Sequence, residues 1–171
     1  NGVQAPTVTA QVADNLIDAG YQIRIDSAMP VRGVATSGWR GRSQSLGIAD
    51  SVTVLARTAA QADAAATIVA NAVNVADARI VRRPAWQVRD DSDLGAIPVT
   101  VDVPALPKEL VGRALHQGLQ KAQELQSGGL LWFALLACQG QWVATSAPQA
   151  LADAVWPRNA VAESEVGSVF A

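Results

Sequence analysis

The fold is decided by one central stretch, Ala35 to Val73, which reads ATSGWRGRSQSLGIADSVTVLARTAAQADAAATIVANAV. Within it, Ser51–Ala56 (SVTVLA) alternates apolar and polar residues as a short strand does. Thr58, followed three residues later by Gln61, forms a capping-box pattern, which predicts that an alanine-rich helix begins there and continues to Ala78. Small residues precede the strand, so the stretch predicts a loop, a strand and a helix that packs closely on a sheet.

Outward from this stretch, helical and strand patterns are interleaved. Thr7–Ala19 is predicted to be a helix, because its apolar residues recur at helical spacing and Gly20 follows as a stop. The other expected elements are strands over Tyr21–Ser27, Val31–Ser37 and Ile97–Val103, an exposed loop or edge hairpin over Arg79–Asp93, an amphipathic helix from Pro107 to Gly128, two strands that meet at a turn around Gln139 and Gly140, and a weak helix over Ala147–Trp156. A short buried helix is the alternative for the first strand of that last pair. The order predicts an α+β class in which a mixed sheet packs against helices, or a mixed-sheet α/β arrangement.

Composition limits the classes of function. The chain has 171 residues, of which 50% are hydrophobic and 16% charged, so a single domain over 1–171 with a real core is expected and the tail over 148–171 is expected to fray. A formal charge of −2 argues against nucleic-acid binding. The apolar run Leu130–Cys138 is too short to span a bilayer, and no signal-peptide pattern is visible, so no membrane partner is expected. A single cysteine, Cys138, suits a reducing compartment, and we expect a cytoplasmic protein.

The alanine-rich helix carries one carboxylate and one hydroxyl at a spacing that puts both on one face. Asp63 and Thr67 are four residues apart, so each offers an oxygen within one helical turn. Hard cations such as Mg²⁺ prefer oxygen ligands and usually keep waters or substrate phosphates as well. The pair is therefore a candidate metal site, and its carboxylate is expected to face the preceding loop instead of bulk solvent. The alternative is that Asp63 stabilises the helix through its dipole while Thr67 simply packs.

The loop before the strand is a candidate anion-binding segment. Its hydroxyls and glycines allow close approach of a ligand, and its arginines supply fixed positive charge with bidentate geometry. The alternative is a solvated surface turn, since neither the phosphate-loop nor the dinucleotide-binding pattern is present. The candidate ligand-binding residues are Thr36, Ser37, Gly38, Trp39, Arg40, Arg42, Ser43, Ser45, Gly47 and Asp50.

Three segments of this region resemble the signature of a family related to the ApbE flavin transferases. They are ATSG at Ala35–Gly38, SVTV at Ser51–Val54 and ADAAATIVA at Ala62–Ala70. The resemblance extends over about 31–146 and implies an ApbE-like fold. In the flavin transferases the aspartate and threonine of the corresponding helix bind Mg²⁺, which implies Mg²⁺ at Asp63 and Thr67 and a flavin nucleotide as a cofactor. The branch is also similar to a module of 6-hydroxynicotinate reductase, which implies a role in N-heterocycle catabolism.

The chain departs from the flavin transferases in two ways. The segment after ATSG is short and has no histidine, the single histidine of the chain being His116. The portion that precedes Val31 in the transferases is missing or replaced, and an oligomer or a missing partner segment is expected to complete the protein. We therefore expect an ApbE-related enzyme or enzyme component that binds a small anionic or heterocyclic molecule. The alternatives are a non-catalytic flavin- or ligand-binding subunit of a larger complex and a structural assembly domain.

Overall fold

A computed structural model describes residues 8–14, 17–25, 29–41, 43–146 and 155–157. In chain order the elements are β1 (Val8–Asp14), β2 (Ile17–Ile25), β3 (Gly33–Ser37), β4 (Ser51–Ala56), α1 (Ala59–Ala72), β5 (Val81–Pro84), α2 (Ala85–Val88), β6 (Pro98–Asp102), α3 (Lys108–Ser127), β7 (Phe133–Cys138), β8 (Gln141–Ala144) and β9 (Val155–Pro157). The described strands form three sheets, β1-β2-β9, β3-β4-β7-β8 and β5-β6. The predicted α+β class is confirmed. Every strand pair within the described residues is antiparallel, where the sequence suggested a mixed sheet.

Strand β4 is one of the two central strands of the four-stranded sheet. All six residues of β4 are buried, so both faces of the strand are covered, including the face that carries Ser51 and Thr53. Val52 pairs with Ser37 on one side and with Leu136 on the other, which fixes the register across three strands. The strand prediction for Ser51–Ala56 is therefore confirmed residue for residue.

Helices α1 and α3 pack against this sheet and against each other. The buried residues of α1 are mostly alanines, and their small side chains let the helix backbone come close to β3 and β4. Close approach is visible at Gly33, where an added Cβ would lie 2.2 Å from the backbone oxygen of Thr58. In α3 the predicted apolar stripe is buried at Val111, Ala114, Leu115, Gly118 and Ala122, and Gly128 caps the helix as expected.

The two ends of α1 differ from the capping and length predictions. Thr58 is the N-cap and accepts a hydrogen bond from the backbone of Gln61, but Oε1 of Gln61 is buried without a partner, so the reciprocal bond of a capping box does not form. The helix ends at Ala72, not at Ala78. Beyond this end, Oδ1 of Asn74 accepts a hydrogen bond from the backbone N–H of Val75, and Nδ2 of Asn74 donates to the carbonyl of Leu46. These bonds replace the continuation of the helix.

The prediction of a helix over Thr7–Ala19 is wrong. Val8–Asp14 and Ile17–Ile25 are strands that pair antiparallel, with Val8 opposite Ile25. The β-branched residues of the first segment favour strands, and long-range pairing overrides a spacing that also fits a helix. The predicted helix over Ala147–Trp156 lies mostly outside the described residues, and its last two residues, Val155 and Trp156, belong to β9.

The polar segment Arg79–Asp93 contains more regular structure than an exposed loop. Its β5 pairs with β6 in a two-stranded sheet, as the edge-hairpin interpretation allowed, and the short helix α2 follows. The predicted hairpin near the C-terminal end is confirmed, since β7 and β8 are joined at Gln139 and Gly140. No helix in the described ranges is long and apolar enough to cross a membrane.

Candidate functional site

A buried carboxylate, Asp50, lies at the end of the loop that leads into β4. Its side chain is only 4% exposed. Oδ1 accepts the indole N–H of Trp39 at 3.3 Å and lies 3.4 Å from Nε of Arg40. Oδ2 accepts the backbone N–H of Gln139 at 2.5 Å. The charge of a buried carboxylate is costly unless it is paired and hydrogen-bonded, and here Trp39, Arg40 and Gln139 are among the groups that supply those interactions.

Arg40 is held from two sides but remains accessible. Its guanidinium carbon lies 4.6 Å from the centroid of the Trp39 ring, within the range of a cation–π interaction. The ion pair with Asp50 uses Nε, and the Arg40 side chain is 39% exposed. The buried Asp50 and the partly buried Trp39 therefore orient a guanidinium whose side chain remains partly exposed. Such a preorganised donor set suits a phosphate or carboxylate.

The turn that faces Asp50 has an unusual backbone. Gln139 has a φ of +44° and Gly140 a φ of +78°, the combination of a two-residue type I′ hairpin. Asn or Asp is usual at the first of these positions, and glutamine is uncommon there. Both ends of the glutamine amide form a hydrogen bond. Nε2 donates to the carbonyl of Pro104, and Oε1 accepts from the backbone N–H of Leu106. Gln139 thus ties the Asp50 carboxylate to the segment that leads into α3.

Cys138, next to this turn, is not an activated nucleophile. The thiol is buried and donates to the backbone carbonyl of Ile48 at 3.3 Å. Burial raises the pKa of Cys138 to about 12, and the negative charge of Asp50 contributes in the same direction. The thiol therefore stays protonated at neutral pH, as expected of an inert core cysteine.

The second half of the predicted ligand loop is anchored to the end of α1. The hydroxyl of Ser45 donates to Oδ1 of Asn71 at 2.9 Å, and the backbone N–H of Leu46 donates to the same oxygen. Gly47 has no room for a side chain, because a Cβ there would lie 2.0 Å from the backbone oxygen of Ala70. Ser45 and Gly47 are therefore used in holding the loop on the helix, and their predicted part in ligand binding stays a prediction.

The first half of the loop continues from β3 towards Arg40. Thr36 is exposed and its hydroxyl lies 2.8 Å from that of Thr53. Ser37 is buried, and Gly38 approaches the backbone of Asp50 so closely that an added Cβ would lie 2.3 Å from its oxygen. Ser43 is exposed, whereas Arg42 lies outside the described residues. The structure thus brings Trp39, Arg40 and Asp50 of the predicted set into one cluster.

Asp63 and Thr67 lie on α1, but Asp63 is exposed, which contradicts the expectation that it is shielded from bulk solvent. Asp63 is the fifth residue of the helix, so the dipole of the first turn has little effect on it either. The loop is anchored near Ala70, which is about 10 Å further along the helix axis at 1.5 Å per residue. Thr67 is half-buried on the same side of the helix.

The donor set for a divalent cation is correspondingly small. Within the described ranges no group of three or more His, Cys, Asp or Glu is arranged to hold a metal ion. Asp63 and Thr67 supply one carboxylate and one hydroxyl, which match the oxygen preference of Mg²⁺ but leave most of its coordination to water or to a ligand. Their part in metal binding remains a prediction.

The fold and the cluster together define an α+β protein with a buried carboxylate that orients an exposed arginine at a loop. The chain matches the model of the family described as AbpE bacteria over residues 3–144, and it belongs to that family. No curated protein and no solved structure matches the chain.

Sequence reasoning missed two residues that shape this cluster. Gln139 was predicted only as part of a turn, and its contact with Asp50 joins positions 89 residues apart. Asn71, which fixes the loop through Ser45, is the polar residue within the otherwise apolar segment Ile68–Val73. A polar residue among apolar ones in a helix indicates a specific hydrogen bond, and Asn71 is such a residue. Glutamine is uncommon in a two-residue turn, which indicates a special role for Gln139.

Proposed function

We propose that this protein is an ApbE-related enzyme or enzyme component that binds a small anionic or N-heterocyclic molecule at the cluster of Trp39, Arg40 and Asp50. The observation that carries the proposal is the arrangement of Arg40. A nine-tenths buried carboxylate and an indole ring orient its guanidinium, while the side chain itself stays 39% exposed. Burying a carboxylate costs desolvation free energy. An exposed arginine that serves only solubility does not require a buried carboxylate as its partner.

The chemistry of the cluster favours an oxyanion. Nε of Arg40 lies 3.4 Å from Oδ1 of Asp50, and the terminal N–H groups of a guanidinium can bind an oxyanion in a bidentate manner. Ser43 is exposed three residues further along, and Arg42 lies between them in the sequence. The phosphate of a flavin nucleotide or the carboxylate of a heterocyclic acid fits this donor set.

The resemblance to the flavin transferases suggests which anion to test first. It implies a flavin nucleotide, with Mg²⁺ at Asp63 and Thr67, and a role in N-heterocycle catabolism for the complete system. Mg²⁺ would neutralise phosphate charge when bound, and the two side chains would supply part of its oxygen ligands. In this view an oligomer or a partner segment supplies the rest of the site.

A second candidate is a non-catalytic flavin- or ligand-binding subunit. It is favoured by the state of the reactive groups near Arg40. The Asp50 carboxylate accepts donors at both oxygens, and the Cys138 thiol stays protonated because burial raises its pKa to about 12. Both groups are engaged in structural hydrogen bonds. This arrangement is more typical of a binding site than of a catalytic site.

Calorimetric titration of the full chain with FMN, FAD and inorganic phosphate, each with and without Mg²⁺, tests the proposal. We expect at least one phosphate-bearing compound to bind. Arg40→Gln should weaken that binding at least about tenfold, the scale of one charge-assisted hydrogen bond. The matched control is Arg113→Gln, which removes an exposed arginine from α3 and should leave the affinity unchanged.

Two results would overturn the proposal. One is the failure of all three compounds to bind the wild-type protein at millimolar concentration. The other is equal affinity for the wild type and the Arg40→Gln variant. If binding depends on Arg40 but no turnover of the nucleotide follows, the non-catalytic subunit is supported instead of the enzyme.

A further inference from the structure

A surface pocket lies at the end of β4 opposite to Asp50. Its volume is about 240 Å³, and it is lined by Arg57, Gln126, Gly129, Leu131 and Trp132. Asp50 precedes β4 and Arg57 follows it, so a strand of six residues, roughly 20 Å long, separates the two regions. The pocket is therefore distinct from the cluster around Arg40.

The walls of the pocket are fixed by hydrogen bonds. Trp132 donates its backbone N–H to the carbonyl of Leu55 at 2.8 Å, and its own carbonyl accepts Nε2 of Gln126 at 2.8 Å. Nε2 of Gln126 also donates to the carbonyl of Ser146 at 3.0 Å. Both amide hydrogens of Gln126 are used in this way, which leaves its Oε1 as an acceptor. These bonds hold the segment between α3 and β7 against β4 and against the end of α3, so the walls of the pocket are preformed.

The described lining of the pocket includes one cationic side chain, and the C-terminal end of α3 lies beside it. The C-terminal carbonyls of α3 are engaged locally, since the backbone N–H groups of Gly128, Gly129 and Leu130 donate to the carbonyls of Glu124, Gln126 and Leu125. Among the lining residues that the structure describes, Arg57 is the one that carries a charge. Its guanidinium is exposed and therefore accessible to a ligand.

We propose that this pocket is a second binding site, which takes a one-ring aromatic carboxylate. Arg57 supplies the bidentate partner for the carboxylate, while Trp132 and Leu131 supply an apolar wall for the ring. The size supports a single ring, because pockets for drug-sized molecules are about 300–1,000 Å³ and this one is about 240 Å³. A purely apolar ligand would form no ion pair with Arg57. An inorganic anion would form no apolar contact with Trp132 and Leu131.

The probes are benzoate, its neutral counterpart benzamide, and cyclohexanecarboxylate, each titrated into the full chain by calorimetry. Benzoate should bind, benzamide should bind at least about tenfold more weakly because it lacks the charge, and cyclohexanecarboxylate should be weaker because its ring is not flat. Arg57→Gln should weaken benzoate binding at least about tenfold. Trp132→Leu should also weaken it, with folding of both variants checked by thermal unfolding.

The same titrations separate this site from the one around Arg40. Arg40→Gln should leave unchanged the benzoate binding that Arg57→Gln removes, and Arg57→Gln should leave phosphate or flavin binding unchanged. The inference is overturned if benzoate does not bind at millimolar concentration. It is also overturned if benzamide binds as well as benzoate, or if Arg40→Gln abolishes benzoate binding while Arg57→Gln does not.

Discussion

The backbone N–H of Gln139 donates to Oδ2 of Asp50 at 2.5 Å across 89 residues of sequence. This bond joins the hairpin between β7 and β8 to the loop that presents Arg40. The hairpin residue has a φ of +44°, a conformation that costs energy for any residue with a side chain. The glutamine amide also holds the segment before α3, so one residue connects three parts of the fold.

Replacing Gln139 should separate its backbone contribution from its side-chain contribution. Gln139→Ala loses both side-chain hydrogen bonds and keeps the positive φ, so it should lower the free energy of unfolding by about 1–3 kcal/mol. Gln139→Gly loses the same bonds but relieves the backbone, and should be about 1 kcal/mol more stable than the alanine variant. Urea unfolding measures both. Equal stability of the two variants would show that the positive φ stores no strain.

Asp50→Asn tests whether the buried carboxylate organises the cluster. An amide is almost isosteric, but its NH₂ must face one of the donors that the carboxylate accepts, either at Trp39 or at Gln139. The variant should therefore be about 2–3 kcal/mol less stable, the cost of lost charge-assisted bonds and an unpaired group.

The matched control is Asp91→Asn. Asp91 pairs with Arg89 at 3.1 Å, but both side chains are exposed, and such surface pairs contribute about 0–1 kcal/mol. Thermal unfolding at neutral pH compares the two variants. A loss of stability for Asp50→Asn no greater than for Asp91→Asn would contradict the organising role of the buried carboxylate.

Cys138 should make the protein less stable at high pH. Its pKa is about 12 in the folded chain and near 9.0 without burial. Between these values the unfolded chain releases the thiol proton while the folded chain keeps it, so stability is full below pH 9 and falls as the pH rises. The loss approaches about 1.4 kcal/mol per pH unit in this window.

Cys138→Ala removes the titrating group and is the comparison for that experiment. Its unfolding free energy, measured by urea between pH 8 and pH 10.5, should fall less steeply with pH than that of the wild type. Parallel pH profiles would show that the thiol titrates normally in the folded protein. The slope is compared instead of the absolute stability, because the alanine also leaves a small cavity.

Two glycines of α3 should respond to alanine with opposite signs. At Gly118 an added Cβ would lie 2.2 Å from Cγ2 of Val73 and 2.9 Å from Cδ2 of Leu136, so Gly118→Ala should cost about 1–3 kcal/mol through overpacking. At Gly112 the nearest atom, Oε1 of Gln141, is 3.7 Å away, so Gly112→Ala should add about 0.5–1 kcal/mol through helix propensity. Urea unfolding of both variants checks this. Stabilisation by Gly118→Ala would mean that α3 does not pack closely on β7 and α1.

The sequence predicts the elements whose signals are local. SVTVLA, the cap at Thr58 and the apolar stripe of α3 each lie within one element, and the structure has all three. The segment Val8–Asp14 shows the limit of such signals. Its apolar residues fit a helical period, yet its backbone pairs with β2, and only that long-range pairing determines the strand.

The candidate site was predictable to a similar extent. Trp39, Arg40 and Asp50 lie in one loop segment of the sequence, so their proximity is a local feature. The contact with Gln139 depends on how β4 and β7 align, and no local pattern encodes it. The exposure of Asp63 likewise depends on which face of α1 packs on the sheet, and the alanines around it give little contrast between the faces.

A crystal structure of the full chain grown with FMN and Mg²⁺ tests the central proposal most directly, because it locates the anion. We predict that the phosphate of FMN lies within hydrogen-bonding distance of the Arg40 guanidinium and that the Arg40–Asp50 ion pair is retained. Arg40→Gln crystals grown in the same way should lack the nucleotide. A phosphate bound away from Arg40, or FMN bound equally well in the Arg40→Gln crystals, would contradict it.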